Sequence, residues 1–114
     1  MKRLSYIASP YTHDSEKIRE LRAQQAMDFA ARIRAAGRFV FSPIAHSHEM
    51  SEYLAAYGCP VKTDAFWREE NELMLSRCDA LVVVRLAGWE RSIGVQREIE
   101  FAQASGIPVE LMDY

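Results

Sequence analysis

Ala80-Leu81-Val82-Val83-Val84 is an unbroken apolar run between Asp79 and Arg85. A strand with one wet face alternates apolar and polar side chains, whereas a strand apolar at every position is covered on both faces. Such coverage is the habit of parallel sheets, whose crossover helices lie on either side. The run is too short for a helix, so it reads as the buried strand of an α/β fold. Three other strand-length segments accompany it. Leu4 to Ala8 is apolar and is broken by Ser9-Pro10. Phe39-Val40-Phe41 ends at Ser42-Pro43, and Val109 to Met112 follows Gly106-Ile107-Pro108.

Helical patterns fill the gaps. Asp14-Ser15 supplies an N-cap for a long amphipathic helix carrying Ile18, Leu21, Phe29 and Ile33, stopped by Gly37. Ile44 to Lys62 reads as irregular, with a short helix around His48 to Ala56. Thr63 or Asp64 can cap a helix to about Arg77, and a last helix opens after Ser92 and runs to about Ser105. Strands alternating with helices predict a three-layer, open parallel sheet of the flavodoxin-like or Rossmann-like kind, in the order 2-1-3-4. That order reverses direction between strands 1 and 3, and ligands bind outside the carboxyl ends of the strands at such a switch. The flanking loops are Ser9 to Asp14 and Arg85 to Ser92.

At 114 residues the chain makes one domain, spanning 1–114. Its net charge of −2 argues against a nucleic-acid polymer as partner, since such proteins carry a basic excess. A small anion held by backbone donors remains compatible with that balance. Cys59 and Cys78 stand alone without a CxxC motif and read as reduced, partly buried thiols. No secretory apolar region follows Met1-Lys2-Arg3, and no stretch approaches the ~20 apolar residues of a membrane span. A cytoplasmic protein that engages no membrane is the expectation.

The chemistry concentrates in Ser92-Ile93-Gly94-Val95-Gln96-Arg97-Glu98. Gln96, Arg97, Glu100 and Gln103 gather on one side of the helix, but the helical neighbours of Glu98 are Val95, Phe101 and Ala102. A carboxylate beside the core-facing stripe is costly unless it is paired or used. Ser92 and Gly94 stand where a helix N-terminus offers free N–H groups to an anion.

Tyr6-Ile7-Ala8-Ser9-Pro10-Tyr11, Phe41-Ser42-Pro43-Ile44-Ala45-His46-Ser47-His48, and the Gly88-Trp89 to Glu98 block with Gly106-Ile107-Pro108-Val109 together resemble the nucleoside 2-deoxyribosyltransferase-like superfamily. The nearest likeness is to a small bacterial and phage branch of unknown function, and it covers nearly the whole chain. The resemblance implies that Glu98 attacks the anomeric carbon of a 2-deoxyribosyl group, forming a glycosyl-enzyme intermediate. It implies that Ser92, which stands where enzymes acting on free nucleosides tend to carry aspartate, donates to a 5′-phosphate with the Gly94 backbone and the Ser9 to Thr12 turn. The activity implied is hydrolysis of 2′-deoxynucleoside 5′-monophosphates by an N-glycosidase. Base exchange by a deoxyribosyltransferase and a non-catalytic nucleotide sensor are the alternatives. A small-molecule nucleotide or nucleoside is the partner, no metal or organic cofactor is implied, and relatives assemble as homo-oligomers. One departure stands out: Asn71, eight residues before Asp79, occupies a position where the superfamily commonly has an aspartate near the base. Asparagine cannot deliver a proton to the leaving group, which leaves Glu70, Asp64 or solvent.

Each of these residues also has a plainer reading. Glu98 as a core-edge carboxylate would pair with Arg85 or Arg91, and Ser92 serves as an N-cap with or without a phosphate. Tyr6 and Tyr11 are substrate contacts or packing aromatics. Trp89 stacks on a base or anchors its loop. His46 hydrogen-bonds the loop after strand 2 or touches substrate. His46 and His48 point the same way only in extended chain, and no recognised metal-ligand spacing joins them to Asp64 or Glu49.

Overall fold

The computed structural model describes residues 2–114. In chain order the elements are β1 (Leu4–Ala8), α1 (Glu16–Ala35), β2 (Phe39–Phe41), α2 (Pro43–Ser47), α3 (Met50–Ala56), α4 (Asp64–Ser76), β3 (Ala80–Val84), a 3₁₀ turn (Trp89–Arg91), α5 (Ile93–Ala104) and β4 (Val109–Met112). The four strands are parallel and lie in the order β2-β1-β3-β4, as the sequence predicts.

Strand alternation divides the core into two layers. Tyr6, Ala8, Leu81 and Val83 face Leu75 of α4, Cys78 just beyond it, and Val95 and Ala102 of α5. Ile7, Val82 and Val84 face Phe29 and Ala30 of α1. All five residues of β3 are buried, which accounts for the absence of polar positions in that run. Each buried Leu or Val side chain contributes about 1.5–3 kcal/mol relative to exposure.

Three local expectations are corrected. The inward stripe of α1 consists of Ala23, Ala26, Phe29 and Ala30, while Leu21 is 52% exposed. Leu21 lies two residues off that stripe, roughly 200° around the helix, and the alanines let α1 approach the sheet closely. The stretch after β2 is more ordered than its composition suggests, because Ser42 Oγ accepts from the Ala45 N–H at 3.2 Å with Pro43 in the first turn. That cap starts α2 immediately, and α3 follows as a separate helix with no buried residue. Thr63 does not cap α4 through its side chain, since its hydroxyl donates to the Pro60 carbonyl at 2.7 Å. The other two caps form as expected: Ser15 Oγ accepts from Ile18 and Ser92 Oγ from Val95. Among the described residues no helix is long and apolar enough to cross a membrane.

Candidate active site

Glu98 projects from the second turn of α5 toward the middle of β1. There the hydroxyl of Tyr6, a residue with no exposed surface, donates to Glu98 Oε2. The arginine pairing does not occur. Arg85 bonds Asp113 at 2.8 Å, and neither Arg85 nor Arg91 comes within ion-pair distance of Glu98. Arg97, the next residue along, is taken by Asp64 at the start of α4. Glu98 is half-buried as a residue, with protein packed closely around its carboxyl. Desolvation pushes its pKa up to about 7, the Tyr6 hydrogen bond pulls it down, and the neighbouring charge of Glu72 raises it again. Burial, together with the Glu98 carboxylate, holds the Tyr6 phenol far above its ordinary range, so Tyr6 remains a proton-bearing donor. Near neutral pH the carboxyl therefore divides between its protonated and ionised forms.

An aromatic row leads away from this pair. The Tyr6 and Phe41 rings lie 5.8 Å apart, and the His46 ring lies 5.6 Å beyond Phe41. His46 Nε2 is 3.7 Å from Glu70 Oε1 on α4. Asn71 is half-buried on the same face of α4 as Leu75, one turn earlier, and forms no side-chain hydrogen bond among the described residues.

The two loops at the strand switch carry the polar groups. Ser9, at the end of β1, is 7% exposed, and its Oγ is the one fully buried side-chain oxygen without a partner among the described residues. At the start of α5 the Val95 N–H goes to Ser92 Oγ and the Gln96 N–H to the Ser92 carbonyl. The amides of Ile93 and Gly94 are left without an intrahelical partner, and Ser92 keeps its own O–H to donate. Beyond its chain neighbours and its own helical turn, no atom lies within 4 Å of where a Gly94 side chain would begin.

Residues 3–114 match a family described as a domain of unknown function, DUF1937. The chain belongs to that family. Among curated proteins no match is found.

In this DUF1937 domain Trp89 is partly buried against the core cluster of Tyr6 and Leu81, and its carbonyl accepts from Gln96 Nε2 at 3.4 Å. It anchors its loop. Tyr11 is tied down as well: its hydroxyl lies 2.9 Å from His48 Nδ1, and His48 Nε2 lies 2.8 Å from Glu20 on α1. His46 and His48 diverge, one toward Glu70 and the other toward Tyr11 and Glu20. The sequence reading missed Phe41, Glu72, Glu20 and the Asp64–Arg97 pair. Glu72 carried a readable signal, because it sits three residues before Leu75, on the side of α4 that turns to the core. The others meet their partners only across elements, where spacing along the chain says nothing.

Proposed function

We propose that this protein hydrolyses the N-glycosidic bond of 2′-deoxynucleoside 5′-monophosphates. The observation that carries the proposal is Glu98 itself: a carboxyl beside the strand switch, without a cationic partner, held by a buried tyrosine and poised near neutrality. Catalytic carboxylates are set apart from structural ones by such tuning. One Glu98 oxygen attacks C1′ as the C1′–N bond breaks, and the base leaves with the bonding pair. Water then attacks C1′ of the glycosyl ester, loses its proton to the carboxylate that protonated the base and releases Glu98, so that two inversions retain configuration overall. Tyr6 fixes the orientation of the nucleophile and lowers its pKa, which favours the ionised form at working pH.

The 5′-phosphate is assigned to Ser9, Ser92 and the free amides of Ile93 and Gly94, a set of donors with no carboxylate among them. The base is assigned to the aromatic row of Phe41 and His46 beyond Tyr6. Asn71 supplies no proton, and Asp64 is engaged by Arg97, so Glu70 beside His46 is the carboxyl assigned to the departing base. The setting is cytoplasmic, in keeping with two free cysteines, and the working form is a homo-oligomer, in keeping with exposed Met50 and Tyr53 on α3 and Tyr57 at its end.

Release of free base from the four monophosphates and the matching nucleosides, by wild type and Glu98→Ala, tests this reading. Release from monophosphates alone, abolished in the variant, is the expected result. Equal release from nucleosides would refute the phosphate assignment. Nucleotide binding with no release would leave the sensor, and transfer to an added free base would identify a deoxyribosyltransferase.

A further inference from the structure

A cation stands between the same two loops without an acid to neutralise it. Arg22 lies on α1, and its Nη1 donates to the Thr12 carbonyl of the first loop at 2.8 Å. Its Nη2 would lie 3.1 Å from a Cβ placed on Gly88, in the second loop. One guanidinium thus spans both sides of the strand switch. Gly88 makes room for it in two ways, having no side chain and adopting a left-handed φ of 89°.

Five arginines are neutralised: Arg32 by Asp28, Arg38 by Glu110, Arg68 by Glu72, Arg85 by Asp113 and Arg97 by Asp64. Arg22 is set apart from the other unpaired ones by its place between the two loops of the strand switch. Arg22 has no carboxylate within 4.0 Å among the described residues, although it is half-buried. A guanidinium has five N–H donors, and Thr12 accepts from one nitrogen only. A partly desolvated charge with spare donors in fork geometry suits a phosphate, which binds such a fork through two oxygens. The partnerless Ser9 hydroxyl belongs to the same first loop as Thr12.

We infer that Arg22 determines specificity for a 5′-phosphate, taking the dianion between the two loops. The inference rests on the nucleotide reading above and adds to it the charge that separates a nucleotide from a nucleoside. Arg22 as a mere strap between the loops would help both ligands equally.

The test uses 2′-deoxyadenosine and its 5′-monophosphate, titrated calorimetrically into Glu98→Ala protein, which holds them without turnover, and into the same protein carrying Arg22→Gln or Arg22→Lys. Melting temperatures are recorded alongside. Arg22→Gln should weaken the monophosphate about 10- to 100-fold and the nucleoside less than about twofold. Arg22→Lys, which keeps the charge but not the fork, should recover part of that loss. Equal weakening of both ligands, no weakening, or a lysine no better than glutamine would overturn the inference while the nucleotide reading stands. A protein with Arg22 intact that shows no preference for the monophosphate would defeat the nucleotide reading, and this inference with it.

Discussion

Replacing Glu98 with glutamine should stabilise the protein, and by an amount that depends on pH. Glutamine preserves the length of the side chain, and its carbonyl can still accept from Tyr6, so the substitution removes little except the ionisable proton. The Glu98 carboxyl has a pKa of about 7 in the fold against 4.5 for the free side chain. A carboxyl raised in this way takes up protons on folding. Stability is therefore lost as pH rises from about 4.5 to about 7 and stays low above that range. At 1.36 kcal/mol for each pH unit, the full cost of holding the carboxylate is about 3 kcal/mol. In a domain of this size that corresponds to a melting temperature higher by roughly 10 °C for Glu98→Gln at pH 8.5. The gap should shrink to under about 1 kcal/mol at pH 5, where the folded wild type is already protonated. Thermal unfolding of the two proteins across that range isolates the term, because every other titrating group is common to both. A difference that stays flat from pH 5 to 8.5 would refute the reasoning, since it would mean that the carboxylate is solvated in the fold. The variant should also release no base at any pH, so that lost activity and gained stability appear in the same molecule.

Three further predictions are simpler. Tyr6→Phe removes the one contact that lowers the Glu98 pKa, so the acidic limb of the base-release profile should move to higher pH, as a pH series of kcat/KM would record. Gly88→Ala forces a side chain into a left-handed backbone and against Arg22, and should lower stability by about 1–2 kcal/mol in denaturant titration, more than an alanine at Gly94, where a Cβ meets nothing. His48→Ala breaks the bonds to Tyr11 and Glu20, costs about 1–3 kcal/mol, and should speed amide exchange in the Ser9 to Asp14 loop without changing it in β3.

The sheet was legible because its signals are local. Ala80 to Val84 reports burial on both faces, and the parity of Tyr6 and Ile7 assigns each to its own layer. Glu98 was legible for the same reason, as a charge among Val95, Phe101 and Ala102. What escaped notice depends on contacts between distant segments. The inner face of α1 is built from alanines, which mark a close approach only once the opposing surface is known. Ser42-Pro43 reads equally as the end of a strand and the start of a helix, and here it is both. Arg22 offers nothing unusual along α1, and its significance arises only when Thr12 and Gly88 are brought to it.

The sheet order also bears on how the protein is made. β1 precedes the other strands in the chain yet occupies an interior place, with β2 on one side and β3 on the other. During synthesis its second edge must wait for Ala80 to emerge, since Ser5 pairs with that residue. Tyr6 waits longer still, for a partner 92 positions away. Contacts of such long range are the slow ones in folding, because chain entropy must be lost before they form. The Tyr6–Glu98 bond is thus a late event in the life of the nascent chain, and a molecule that has not docked α5 lacks the pair altogether. Any activity centred on this pair would appear only when the last crossover has closed, and would serve as a gauge of finished molecules.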